Sequence, residues 1–249
     1  MNLPPLLLVH GYPFDHTMWD HTVGLLDPAI QVLTPDLRGF GGCPLGPDQP
    51  SLDRMAEDLA IFLRERNIGR AVVAGMSMGG YVALAFAEHD KEQLAGLALI
   101  GSQTASDSDE ARANRRAMIA KIKKEGPAAA ANAAIPKMFA PQNSQRPELI
   151  RFPMLGAEKA GVDGLAWALE AMARRPDRTA VLQALKAPLL IIHGAHDQFI
   201  PIARARDLAR SAANADYVEL LEAGHATPLE APAKVADALN QFVKKCAAT

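Results

Sequence analysis

The run Gly75-Met76-Ser77-Met78-Gly79-Gly80 constrains this chain more than any other. An apolar, β-type segment (Ala71-Val72-Val73-Ala74) leads into it, and a helix-forming segment (residues 81–87) leads out. A serine flanked by glycines at a strand-to-helix turn matches a nucleophile elbow. The turn is so sharp that the serine takes strained dihedrals, and side chains on its neighbours would clash. The strain lifts the hydroxyl clear of a sheet, where a base and a substrate can reach it.

The 249 residues suffice for one large core, read here as one domain with an insertion. The formal net charge of −2, with no basic block, excludes nucleic acid and anionic lipid as expected partners. The two cysteines, Cys43 and Cys246, lie near opposite ends of the sequence. We expect reduced thiols and a cytoplasmic location. The first residues have neither a positive stretch nor a small-residue cleavage site, so no signal peptide is expected. No apolar run approaches the ~20 residues that cross a bilayer, so no membrane is expected.

Unbroken apolar strands alternate with helical segments. Strands are predicted at residues 6–9, 30–34, 71–74, 94–100, 188–193 and 217–220. Helices are predicted at 51–66, with Ser51 as N-cap, and at 78–89, 201–211 and 231–245. This pattern predicts a parallel sheet covered on both faces. Between residues 103 and 187 the rhythm changes to Ala-rich, Arg- and Lys-dotted helical stretches punctuated by prolines. We read residues 1–102 and 188–249 as the core, and 103–187 as a helical cap over the carboxyl ends of the strands.

A serine hydroxyl is a weak nucleophile and needs a general base. His225 is the candidate, in the loop Glu222-Ala223-Gly224-His225-Ala226-Thr227-Pro228 between the last strand and the last helix. The base in turn needs a carboxylate to fix its tautomer. Asp197, in His193-Gly194-Ala195-His196-Asp197, follows the fifth strand; read alone, it simply caps the helix beginning near Pro201. A tetrahedral intermediate needs donors for its oxyanion. The backbone N–H of Met78, after the serine, is one candidate. The amide of Tyr12, in His10-Gly11-Tyr12-Pro13, is the other, because Pro13 has no N–H. His10 is read as shaping that loop. Asp36 and Arg38 in Asp36-Leu37-Arg38-Gly39-Phe40-Gly41 are read as pinning another.

Together these motifs resemble the α/β-hydrolase superfamily, in which serine, acid and histidine follow in this chain order. Within it the chain resembles the small capped carboxylesterases, a branch that also holds enol-lactonases and cofactor-free perhydrolases. The run Tyr12-Pro13-Phe14-Asp15-His16-Thr17-Met18-Trp19 and the exit Ala173-Arg174-Arg175-Pro176-Asp177-Arg178 are similar to stretches of that branch. The resemblance implies a catalytic triad of Ser77, Asp197 and His225 and hydrolysis of an ester or lactone through an acyl-enzyme. Family members usually carry two strands before the His-Gly strand. Few residues precede Leu6 here, so the α/β fold is expected as a six-stranded, mostly or wholly parallel sheet. Residues 30–34 would be its open edge, and the chain a monomer or homodimer.

No metal-ligand spacing stands out, and no cofactor is expected. Specificity is assigned to the cap, whose Met138, Phe139, Trp167 and Met172 are candidates for an apolar acyl pocket. A serine at the elbow argues against the carboxylate-dependent dehalogenases and epoxide hydrolases of the superfamily. A carbon–carbon bond hydrolase or an enol-lactonase would instead place a cap cation on a substrate carboxylate, with Arg151, Arg174 and Arg175 as candidates. A small-molecule receptor retaining the triad is the alternative of another class.

Overall fold

A computed structural model describes residues 3–212 and 214–248. The strands are β1 (Leu6–Val9), β2 (Val32–Leu33), β3 (Ala71–Met76), β4 (Leu94–Ile100), β5 (Leu189–Gly194) and β6 (Ala215–Leu220). The α-helices are α1 (Asp20–Val23), α2 (Leu52–Glu65), α3 (Met78–His89), α4 (Asp109–Glu125), α5 (Ala128–Met138), α6 (Pro147–Arg174), α7 (Thr179–Gln183), α8 (Ile202–Ser211), α9 (Thr227–Glu230) and α10 (Pro232–Cys246). The strands form one sheet in the order β2-β1-β3-β4-β5-β6, and every neighbouring pair is parallel.

The inner strands β1, β3, β4 and β5 are buried along their whole length, as continuous apolar runs require. Alternate residues feed two cores. Leu7, Val9 and Val73 pack with α2 and α3 on one face; Leu6, Leu8, Val72 and Ala74 pack with α10 on the other. Helix α2 starts at the expected cap, where Ser51 Oγ accepts from the amides of Asp53 and Arg54. Its buried face is Leu52, Met55, Ala56, Leu59, Ala60 and Leu63.

Register brings the ends of the strands to a common rim. Met76 pairs with Ile100, and Gly194 with Leu220. The chain runs outward from β1 to β2 and then crosses back to place β3 on the other side of β1. The order therefore reverses between β1 and β3, and in open parallel sheets ligands bind at the carboxyl ends beside such a reversal.

The second strand is shorter than expected. Only Val32–Leu33 pair with β1, and both are half-buried. The chain leaves the sheet at Pro35, which has no N–H to continue the ladder. Asp36 is then held off the sheet by the backbone N–H and the ring Nδ1 of His16, each 2.8–2.9 Å from its carboxylate. A two-residue edge presents little unpaired backbone, so the edge-to-edge pairing expected for residues 30–34 loses its template.

Between β4 and β5 the described residues form α4 to α7 and no strand. Helix α6 is two helical pieces meeting at Gly161, whose φ of 64° breaks the helical run. Its first piece lies on the loop after β1: a Cβ on Gly156 would overlap the carbonyl oxygen of Pro13. Lys159 reaches over to the buried Asp15, 2.6 Å away. Among the described residues, no helix is long and apolar enough to cross a membrane.

Candidate active site

Ser77 stands between β3 and α3 with φ 52° and ψ −113°. Such a conformation costs a non-glycine residue about 1–3 kcal/mol. Its surroundings hold it there: its N–H donates to Ile100 O at 2.9 Å, and its carbonyl accepts from Ser102 Oγ at 2.9 Å. The flanking glycines are required by close approach. A Cβ on Gly75 would overlap Gly79 O, and one on Gly79 would overlap Val9 O.

The sheet rim brings the three distant residues together. Ser77 Oγ lies 2.9 Å from His225 Nε2, and His225 Nδ1 lies 2.7 Å from Asp197 Oδ2. The hydroxyl can therefore donate to Nε2 while Nδ1–H donates to the carboxylate. His225 and Asp197 are 4% and 7% exposed. The other carboxylate oxygen accepts from the amides of Phe199 and Ile200 at 2.8 and 2.9 Å. Burial alone would raise the Asp197 pKa, but the His225 imidazole and the Ile200 amide hold it below the usual carboxylate value. Asp197 thus stays ionised beside the ring, and it also caps the turn before α8. The same carboxylate therefore faces the ring with one oxygen and closes the turn with the other.

His193 and Glu230 support this arrangement, and sequence reasoning gave neither a role. His193 Nε2–H donates to Ile200 O at 2.8 Å and lies 3.3 Å from Asp197 Oδ2, so the acid sits between two imidazoles. Burial lowers the His193 pKa, which keeps that ring neutral. Glu230 accepts from the amides of Gly224 (2.7 Å) and Ala140 (2.8 Å) and from Asn143 Nδ2 (2.9 Å). It thereby ties the loop carrying His225 to the segment after α5. The amide of His225 adds a bond to Met138 O at 2.9 Å. The signal was present in both cases, since His193 opens one quoted motif and Glu230 lies two residues beyond another. What sequence hides is which partners each one reaches.

The loop after β1 closes the other side. A Cβ on Gly11 would lie 3.3 Å from Ser77 Cβ, which puts this loop against the nucleophile. His10 shapes it as expected: Nδ1–H donates to Gly11 O and Nε2 accepts from Leu37 N–H, both at 3.0 Å. Arg38 is paired with Asp58 and Asp48. Met78 is the first residue of α3, so its N–H has no acceptor within the helix.

A cavity of about 320 Å³ opens over Ser77 and His225. Tyr12, Met118, Met138, Leu169 and Met172 give it mostly apolar walls. Two expected pocket residues are elsewhere. Helix α5 ends at Met138, and Phe139 turns extended and is fully buried in the core. Trp167 faces away, its indole N–H donating to Asp48 O at 3.0 Å beneath Arg38. The cation on the wall is Arg115, not one of the three arginines named from sequence. Arg174 pairs with Glu170 on the surface, Arg151 lies over Phe152, and Arg175 is buried behind the wall.

A larger groove, about 700 Å³, lies at the amino ends of β4 and β5 and contains none of these residues. A cluster of metal-ligating side chains, Asp53, Glu88 and His89, is also separate from the cavity, and the guanidinium of Arg178 already bridges its two carboxylates.

With this geometry in place, comparison decides the family. Residues 6–238 match the model of the alpha/beta hydrolase family. The chain belongs to that family. Among solved structures, the hydrolase is similar to a thermophilic esterase from Thermogutta terrifontis, solved with malate bound. The two share 37% identity and a TM-score of 0.93, over 98% of this chain and 90% of that one. It is also similar to the enol-lactonase of Burkholderia xenovorans LB400, with 27% identity and a TM-score of 0.85 over 100% and 93% of the two chains. Among curated proteins, a pimeloyl-[acyl-carrier protein] methyl ester esterase of Aromatoleum aromaticum is 28% identical, over 98% of this chain and 100% of the relative.

Proposed function

We propose that this hydrolase cleaves carboxylic esters or lactones of small to medium apolar acyl groups, through an acyl-enzyme on Ser77. The observation carrying this reading is the 2.9 Å contact between Ser77 Oγ and His225 Nε2, with Asp197 behind the ring. The esterase and lactonase relatives support it.

In the first half-reaction Ser77 Oγ bonds to the substrate carbonyl carbon while its proton passes to His225 Nε2. The carbonyl oxygen becomes an oxyanion held by the N–H groups of Tyr12 and Met78, each contributing about 3 kcal/mol to lowering the barrier. The carbon–alkoxide bond then breaks, and His225 returns the proton to the leaving oxygen. In the second half His225 takes a proton from water, the resulting hydroxide attacks the acyl carbon, and Ser77 leaves reprotonated with the free acid. Asp197 stabilises the imidazolium in both halves. Residues 103–187 act as a cap, with Met138 and Met172 as adaptable walls for the acyl chain.

Turnover of p-nitrophenyl butyrate tests the reading. The wild type should cleave many equivalents per chain, and Ser77→Ala should lose nearly all of that rate. One slow burst followed by silence would favour a receptor, and full activity in Ser77→Ala would end the assignment.

A further inference from the structure

Arg115 is the one lysine or arginine among the described residues on the cavity wall, and its partners do not satisfy it. Its Nε donates to Asp107 Oδ2, and its Nη2 lies 3.4 Å from Oδ1. Its Nη1 faces the thioether sulfur of Met172 at 3.3 Å. A thioether is a weak acceptor, so a strong cationic donor is spent on a poor partner.

Asp107 cannot neutralise this arginine alone, because it serves two. Arg175 Nη1 lies 2.6 Å from Asp107 Oδ1. Among the described residues, Asp107 is the sole carboxylate within ion-pair distance of either guanidinium. The cluster therefore holds one positive charge in excess beside a largely apolar cavity. Arg175 is committed elsewhere, to the carbonyls of Met172 and Ala105 and to the face of Tyr81. The surplus falls on Arg115, whose side chain is 20% exposed.

A second observation lies on the same wall. Tyr12 Oη is buried and has no hydrogen-bond partner. A buried hydroxyl without a partner is left short of the hydrogen bond it made in water, and a guest that supplies one recovers it. Arg115 and Tyr12 line the same cavity.

We propose that Arg115 Nη1 and Tyr12 Oη form a subsite for a carboxylate, so that the preferred substrates are esters or lactones carrying a second, free carboxylate remote from the scissile bond. An anionic guest neutralises the surplus charge, replaces the sulfur as acceptor for Arg115 and accepts the hydrogen bond that the phenol O–H donates. The apolar walls between this subsite and Ser77 suit the chain joining the two functional groups. Asp107 does not oppose the guest, since both its oxygens are occupied by guanidinium groups. The proposal rests on the hydrolase reading only for what happens to the bound ester.

The test compares methyl half-esters of the C4 to C7 dicarboxylic acids with neutral methyl alkanoates of matched length. The wild type should favour at least one half-ester by roughly tenfold or more in kcat/KM, and Arg115→Met should reduce that ratio by a similar factor. Titration calorimetry with adipate reads the subsite without turnover: binding should be lost in Arg115→Met and weakened several-fold in Tyr12→Phe. Should Arg115→Met fail to fold, the wild-type ratio and Tyr12→Phe still decide. Preference for neutral esters at every length, an unchanged ratio in a folded Arg115→Met, or no adipate binding to the wild type would overturn the subsite. Cleavage of p-nitrophenyl butyrate alongside any of these leaves the hydrolase reading standing; adipate binding without any ester cleavage removes that reading and keeps the subsite.

Discussion

The rim of the sheet and the helical segment between β4 and β5 answer to different physics. The rim is built from short loops whose ends are fixed by buried parallel strands. Each loop is then pinned by its own backbone bonds, such as Asp197 to the amides of Phe199 and Ile200. The helical segment touches the site through side chains projecting from helix faces, and a small rotation changes which of them face the cavity. The proposed function puts chemistry in the first region and selectivity in the second. Variants in the rim should damage all substrates alike, whereas variants in the helices should redistribute preference among them.

The largest expected effect is in the rim. Ser77→Ala should lower kcat for every ester by roughly 10⁴-fold or more; loss confined to some esters would break the division. Asp197→Asn should follow, with kcat reduced by about 10³–10⁴-fold and KM little changed, because the amide favours the wrong imidazole tautomer. Steady-state kinetics on two unrelated esters reads both effects. Glu230→Gln lies on the boundary between the regions. It puts an NH₂ where three donors converge, at a cost of about 1–3 kcal/mol, read as a lower melting temperature and a uniform fall in kcat. A shift in chain-length preference with kcat unchanged would instead assign Glu230 to the pocket.

Met138→Ala and Met172→Ala should be milder. They should change the ranking of acyl lengths by less than about a hundredfold, in line with the 1–3 kcal/mol that one hydrophobic contact discriminates. An equal loss on every length would contradict the assignment of selectivity to the helices.

The smallest effect concerns pH. Burial lowers the pKa of His10 and His193, both in the core, from an ordinary value of 6.5. The folded chain binds these protons more weakly than the unfolded chain. Stability is therefore fully present above about pH 6.5 and is lost as pH falls through the folded values. Each ring contributes at most about 1.4 kcal/mol per pH unit. Chemical denaturation between pH 5 and 7 should show this slope, and His193→Gln should flatten it. The helical segment has no histidine and should add nothing to it.

The same contrast explains what sequence could tell. The apolar runs at β1, β3, β4 and β5 announce themselves because they are buried on both faces, and the β4 limits were readable to the residue. The residues of the three converging loops were readable too, since glycines, chain order and flanking strands fix where each loop ends. Strand β2 is shorter than the β-type run Ile30-Gln31-Val32-Leu33-Thr34 suggests, and only the departure at Pro35 and the hold on Asp36 show where pairing stops. In the helices, Met138 and Met172 reach the cavity, whereas Phe139 and Trp167 do not. No periodicity distinguishes a face turned to a cavity from one turned to a core. Arg115 was missed because its meaning depends on sharing Asp107 with Arg175, eight and sixty-eight residues further along.

Labelling with a serine-directed fluorophosphonate, followed by peptide mass mapping, tests most directly whether the rim makes one hydroxyl reactive. The account predicts one adduct per chain, on Ser77, and its loss when His225 is replaced by alanine. An adduct on another residue, or none at reagent levels that label ordinary serine esterases, would contradict it.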